Sequence, residues 1–399
     1  MYTTDLVQLF NPYSIQEFLS NIWGQEFRHF PSSGDRFSHL LTWSALNDTL
    51  NSHRLDFPRI RLAKKGENIS PFLFTSRERT RHGHTITRLN STILTRLLRD
   101  GATLIIDSID EMHEPIRALA VSLERVLREK VSANAYVSWG ESQGYTTHWD
   151  DHDVLIFQIS GRKRWYIYGE TRRHPVLNDT VPNEQTPEDP LWEEVIMPGD
   201  LLNIPRGIWH AARPVGEPSV HLTFSISKRS GLDLLAWLTE RLKATEVFRK
   251  DIPRFSTSAE KQGHVARMKD ALFDMWTPEI MDTFLADCDR ASSSRPHFSL
   301  PCGVASDTHP LSMEHKISLN LPREPMVERG KQGHTLVVRG NDRQWELPVS
   351  YESLIAVLRD GCQYTIGNVT DRLSGHMDTE TVSRALQHLL TEDLIMVIG

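Results

Sequence analysis

The chain has 399 residues, 39% of them hydrophobic, which supplies two or three sizeable cores and excludes wholesale disorder. A formal net charge of −7 speaks against a dedicated nucleic-acid binder, so nucleic acid is not expected as a partner. Cys288, Cys302 and Cys362 lie far apart and form no CxxC pair, which excludes a disulfide framework or a zinc finger and fits a reducing compartment. The opening residues lack a basic stretch leading into an apolar one, and no apolar run is long enough to span a bilayer. The expectation is a cytoplasmic protein without membrane contact.

In chain order, "SIQEFLSNIW" places Ile15, Phe18, Leu19, Ile22 and Trp23 at helical spacing behind Ser14 as N-cap. A second short helix is predicted from about Thr42. "FPRIRLAK" and "ATLIIDSI" read as strands, and "EPIRALAVSLERVLREKV" as an amphipathic helix. From Ala133 to about Lys228 the texture changes to short strands between turns: "NAYVSW", "DVLIFQI", "RWYIYG", "EEVIM", "DLLNIP" and "HLTFSIS". Gly161 and Pro198-Gly199 mark hairpin turns. Such a cadence predicts a sandwich or barrel, with a double-stranded β-helix among the jelly-roll options.

After Arg229 two helical stretches follow, "GLDLLAWLTERLKA" and "HVARMKDALFDMWTPEIMDTFLADC", with wide apolar faces. "DRASSSRPHFSLPCG" reads as a linker. The strands "HTLVVRG" and "RQWELPV" come next, and the last fifty residues read as three short helices and a closing strand, a winged-helix pattern. From Tyr351 onward three arginines face seven carboxylates, a net −4, the wrong sign for phosphate contacts.

The chemistry concentrates in "THWDDHD", residues 147–153. Read as the start of the following strand, this segment projects His148, Asp150 and His152 to one face and Trp149, Asp151 and Asp153 to the other. His148 and Asp150 can bind one metal in adjacent positions, with His210 of "MPGDLLNIPRGIWH" as the best third ligand. Two imidazoles and a carboxylate form the facial triad of non-haem Fe(II) oxygenases, leaving positions for a chelating 2-oxo acid and O2. A closed four-ligand zinc site would leave none. Asp200 reads as a turn former.

"HWD", "GRKRW", "PGDLLNIPRGIWH" and "HLTFS" together resemble the Jumonji C class of 2-oxoglutarate-dependent oxygenases, and within it the ribosomal-oxygenase branch. The resemblance implies an α+β chain: a double-stranded β-helix (jelly-roll, cupin-like) catalytic domain with an N-terminal α/β extension over 1–228, a helical dimerisation domain over 229–300, and a winged-helix-like domain over 301–399. It implies Fe(II) on His148, Asp150 and His210, and the distal carboxylate of 2-oxoglutarate on Lys163. Asn134, Tyr136 and Thr223 are expected near the cosubstrate. His152 stays outside the triad, because same-face positions four residues apart on a strand are roughly 13 Å apart; it is expected to face substrate.

The expected activity is an Fe(II)- and 2-oxoglutarate-dependent dioxygenase that hydroxylates an amino-acid side chain of a protein or peptide, such as a ribosomal protein, in a homodimer. The alternatives are a tailoring hydroxylase of a biosynthetic precursor peptide, a histone-type demethylase, and a non-catalytic cupin-like regulator that binds metal and ligand.

Overall fold

A computed structural model describes residues 4–32, 34–177, 179, 185–305, 308–331 and 333–398. The chain divides into two compact units, one ending at Lys228 and the next beginning at Arg229.

Among the described residues, thirteen strands belong to the first unit: β1 (Arg28–Phe30), β2 (Ile60–Lys64), β3 (Glu67–Ile69), β4 (Thr75–Arg79), β5 (Thr85–Leu89), β6 (Thr103–Ile106), β7 (Val131–Ser138), β8 (Asp153–Ser160), β9 (Lys163–Glu170), β10 (Trp192–Ile196), β11 (Leu201–Ile204), β12 (Ile208–Pro214) and β13 (Ser219–Ile226). Eight form one sheet in the order β1-β11-β8-β13-β7-β6-β2-β3, and β10-β9-β12 form a second. Every pairing is antiparallel. This is a cupin-like jelly-roll core with helices against it.

The alternation along the central strands explains the core and the cavity together. On β7, Ala133, Ala135 and Val137 enter the main hydrophobic cluster, while Ser132, Asn134 and Tyr136 line a cavity. On β13, Val220, Leu222, Phe224 and Ile226 pack inward, while His221, Thr223 and Ser225 face the cavity. β8 is buried on both faces, with Leu155, Phe157 and Ile159 in the main cluster and Val154 and Ile156 in a smaller one. Its near-continuous apolar run follows from that double burial.

The helix predicted from Thr42 runs from Trp43 to Ser52, with the Thr42 side chain accepting from the Ala45 N–H. Ser14 caps its helix reciprocally with Glu17. The amphipathic helix spans Glu114–Leu127 and buries Ile116, Ala120, Leu123, Val126 and Leu127.

One local expectation is corrected. The strand after the "HWD" motif begins only at Asp153, so residues 149–152 are irregular and strand alternation does not set their directions. Asp153 terminates the irregular stretch: it is buried, with Lys228 Nζ at 2.6 Å and the Arg206 N–H donating to it at 2.8 Å. Also unforeseen is β12, whose sequence "IWHAARP" offers no clean alternation.

The second unit opens with helices Gly231–Leu242, Ser258–Met275 and Ile280–Ala291, of which the first and last share a cluster of Leu234, Leu238, Leu242, Ile280 and Phe284. Six strands follow: β14 (Lys316–Leu319), β15 (Met326–Arg329), β16 (Thr335–Gly340), β17 (Arg343–Pro348), β18 (Tyr364–Thr365) and β19 (Ile395–Ile398). They form two three-stranded sheets, β18-β14-β19 and β15-β16-β17. Helices Glu352–Leu358, Ile366–Leu373 and Thr379–Thr391 complete a core around Leu354, Val369 and Leu386. The stretch expected as a linker is no free tether. The Ser294 hydroxyl donates to the Asn320 carbonyl at 2.7 Å, His297 Nε2 to the Val397 carbonyl at 2.7 Å, and the Val397 N–H to Ser299 Oγ at 3.0 Å. Its Ser-rich composition supplies those hydrogen bonds, which composition alone does not distinguish from solvation.

Candidate active site

A cavity of about 670 Å³ lies between the two sheets of the first unit, with His148, Asp150 and His210 on its wall. One ligand-type atom from each of these three lies within 4.8 Å of the others, so together they could hold a metal ion. Asp150 Oδ1 stands 3.8 Å from His148 Nε2, and its Oδ2 stands 3.5 Å from His210 Nε2.

Backbone contacts join the two parts of this group. The His148 N–H donates to the His210 carbonyl at 3.1 Å, and the His210 N–H returns a bond at 2.8 Å, an isolated antiparallel bridge. The Gly207 N–H donates to the Asp150 carbonyl at 3.0 Å. Gly207 sits at φ +86°, where an added Cβ would lie 2.6 Å from the Arg172 carbonyl, so the turn into β12 requires glycine. A register shift between Ile208 and His210 opposite β9 turns His210 into the cavity. The irregular "HWD" segment is thus clamped to β12 and the turn before it by three backbone bonds.

The imidazoles are oriented through their other nitrogens. His148 Nδ1 bonds the Thr146 carbonyl at 2.8 Å and His210 Nδ1 bonds the Ile208 carbonyl at 3.0 Å. A carbonyl only accepts, so both Nδ1 atoms carry hydrogen and both Nε2 lone pairs are available. Burial, with the neighbouring His148, pushes His210 down to about 4, which keeps it neutral near pH 7. Burial raises Asp150, but the imidazoles of His210 and His148 outweigh it and hold the carboxylate below its usual range.

Lys163 lies on β9 opposite Pro214, four residues beyond His210 on β12, so about 13 Å of strand separates it from the His210 position. It is 3% exposed, and its Nζ donates to His221 Nδ1 at 3.1 Å. Burial pushes the ammonium down to about 7. No carboxylate pairs with it among the described residues. Its neighbours in "GRKRW" behave as ordinary surface cations, Arg162 on Glu217 and Arg164 on Glu193.

Asn134, Tyr136, Thr223 and His152 all line the same cavity. Asn134 Oδ1 is engaged by the Ser108 N–H at 2.9 Å, and His152 Nδ1 bonds Asp151 at 2.8 Å. Asp200 has no place in the cavity. Its carboxylate accepts the Ser32 and Met197 N–H groups, each at 2.8 Å, as a turn former does.

Sequence reasoning missed His221 and Arg61. His221 stacks on Tyr136 at 4.9 Å and 3°, stands edge-on to Trp165, and bonds Lys163. Burial holds it well below its usual pKa, hence neutral and able to accept from the ammonium. Its sequence signal was only that of a polar residue on the Thr223 face of a strand whose other face is wholly apolar, which names no partner. Arg61 lines the cavity from β2, bidentate on Asp107 at 2.5 and 2.7 Å and donating to Tyr145 Oη at 2.7 Å.

Residues 111–234 match the JmjC domain family model. The matched segment holds His148, Asp150 and His210. Among curated proteins the chain is 28% identical over 268 residues to the bifunctional lysine-specific demethylase and histidyl-hydroxylase NO66 of Drosophila pseudoobscura pseudoobscura, covering 62% of this chain and 26% of that one. With the NO66 of Culex quinquefasciatus it shares 37% identity over 120 residues, 29% of this chain and 18% of that one. The chain therefore spans about a quarter of the length of such relatives. Across nearly its whole length it shares the fold of ycfD of Escherichia coli, with a TM-score of 0.57 at 17% identity, covering 97% of this chain and 98% of that one. A second structure of YcfD, described as a ribosomal oxygenase in complex with cobalt and 2-oxoglutarate, gives 0.55 at 15% identity, with 97% and 99% covered. No helix among the described residues is long and apolar enough to cross a membrane.

Proposed function

We propose that this chain is an Fe(II)- and 2-oxoglutarate-dependent dioxygenase that hydroxylates an amino-acid side chain of a protein or peptide, with a ribosomal protein as the first substrate to try. The observation that carries the reading is the pairing, in one cavity, of three converging metal donors with a buried ammonium that lacks a carboxylate. Two imidazoles and one carboxylate fit Fe(II) with positions to spare, and the uncompensated Lys163 fits a dicarboxylate's far end. Held by His148, Asp150 and His210, the metal would supply O2 activation coupled to conversion of 2-oxoglutarate to succinate and CO2.

The protein's own part is positioning. Thr146 and Ile208 carbonyls fix the imidazole tautomers, a support worth 10–100-fold in metal affinity or activity at comparable sites. His221 holds the Lys163 ammonium in place from β13. Val154, Ile156 and Trp165 supply buried apolar surface to the cavity wall. Asn134, Tyr136 and Thr223 serve the cosubstrate end, and His152 faces substrate. No side chain has to act as a strong base.

The NO66 relatives are named as histidyl-hydroxylase and demethylase, and YcfD as a ribosomal oxygenase, which supports a protein substrate. The test is succinate formation by the Fe(II)-loaded protein with ribosomal-protein fragments, followed by mass spectrometry. Succinate that rises with one fragment, together with a gain of one oxygen in that fragment, is expected. Ligand binding without turnover on any peptide would favour the regulator reading.

We read 229–300 as a dimerisation domain and 301–399 as winged-helix-like. Leu232, Leu235, Val265, Phe273, Trp276, Met281 and Leu285 stand exposed on the helices of that region, more apolar surface than a monomer usually leaves in water. A homodimer is expected by light scattering, and a monomer at micromolar concentration would sink this part. The widely spaced cysteines suit action in the cytoplasm.

A further inference from the structure

We infer that the β4–β5 hairpin and the groove beside it form a binding surface for single-stranded RNA. The chain's net charge of −7 conceals a strong local asymmetry. Between Pro71 and Arg99 stand Arg77, Arg79, Arg81, Arg88, Arg96 and Arg99 against the single carboxylate of Glu78, a local +5 that leaves −12 for the rest. Glu78 is bonded to Arg88. Arg77, Arg79 and Arg81 have no carboxylate within ion-pair distance among the described residues, and all three are exposed.

The hairpin's geometry sorts these charges. Arg77 pairs with Thr87 and Arg79 with Thr85, so both arginines project to one face, while Glu78 and Arg88 share the other. Arg81 follows at the tip with His82 and His84. Phe72, 76% exposed, lies beneath the Arg77 guanidinium, 5.8 Å from charge to ring centroid. Arg88 leads from the hairpin into a groove of about 950 Å³, where Trp43, Trp139 and Leu98 offer apolar and aromatic surface beside Arg54 and Arg99. Neither Arg54 nor Arg99 pairs with a carboxylate among the described residues.

Guanidiniums beside exposed rings are what a flexible polyanion with stackable bases requires. Phosphates take the arginines, and base faces take the aromatics. All six cations from Pro71 to Arg99 are arginine and none is lysine. An acidic peptide or an anionic lipid surface needs charge alone, which lysine supplies equally well. The combination favours nucleic acid. The surface lies outside the cavity that holds His148, Asp150 and His210, so the inference stands apart from the oxygenase reading.

The test is fluorescence anisotropy of a labelled single-stranded oligouridine RNA with the full chain over a salt series. Five arginine contacts, from Arg54, Arg77, Arg79, Arg81 and Arg99, should give a slope of log affinity against log salt of about −3.5. The triple variant Arg77→Gln/Arg79→Gln/Arg81→Gln should flatten that slope by about 2 units and weaken binding at least tenfold at about 50 mM salt. Phe72→Ala should weaken it roughly fivefold or more through lost stacking. Succinate formation should be unchanged in both variants, and circular dichroism reports whether each folds. Absence of RNA binding at low salt would overturn the inference, as would binding that the triple variant leaves intact. Polyglutamate or anionic vesicles bound as tightly as RNA, with Phe72→Ala silent, would overturn it in favour of a plain charge surface.

Discussion

Replacing His210 by alanine is expected to reduce Fe(II)-dependent conversion of 2-oxoglutarate to succinate by more than 100-fold while the fold survives. Losing a carbonyl that merely orients a ligand costs 10–100-fold, so losing the ligand itself must cost at least as much. The effect should not be confused with unfolding. His210 is 5% exposed, but its backbone carries the bridge to His148, and alanine keeps that bond. A Co(II) titration alongside the succinate assay separates the causes. Lost metal binding with an unchanged melting temperature is expected, and succinate at wild-type rates would remove His210 from the site.

The second large effect concerns Lys163. Lys163→Met is expected to raise KM for 2-oxoglutarate about 10- to 150-fold, the equivalent of about 1.5–3 kcal/mol for one charge-assisted hydrogen bond. The near-isosteric swap keeps the buried side chain's volume, so kcat at saturating cosubstrate should fall much less. Wild type should show a matching pH dependence. Burial pushes Lys163 down to about 7, and only the ammonium can pair with a carboxylate, so KM should climb as pH rises above about 7. That climb should be absent in Lys163→Met.

The same shift has a consequence for stability. An unfolded lysine keeps its proton up to its usual 10.5, whereas folded Lys163 has released it above about 7. The unfolded state binds more protons across that window, so this residue's contribution makes wild-type stability rise with pH from about 7 to 10. Urea melts at pH 7 and 9 should show the rise in wild type relative to Lys163→Met, and parallel curves would mean that Lys163 is not buried as described.

Much of the catalytic unit was legible because strand alternation and turn residues act locally. "NAYVSW" and "HLTFSIS" declared their two faces in the sequence, and Pro198-Gly199-Asp200 forms the turn its composition demands, with Gly199 at φ +92°. Three things were not legible, each for a physical reason. The "HWD" segment looks like a strand but is held by non-local bonds from His210 and Gly207, which no short-range pattern encodes. β12 mixes histidine, alanine and arginine because His210, Ala212 and Pro214 line the cavity, so it lacks the usual apolar rhythm. His221 serves as a buried partner to Lys163 from a position that reads as ordinary strand polarity.

The most direct measurement is anaerobic calorimetry of 2-oxoglutarate binding to metal-free and Co(II)-loaded protein, in wild type, His210→Ala and Lys163→Met. The expected result is one 2-oxoglutarate per chain only when metal is present, with binding lost in His210→Ala and weakened at least tenfold in Lys163→Met. Equal binding without metal, or binding indifferent to Lys163, would contradict the claim that the two ends of the cavity hold one cosubstrate between them.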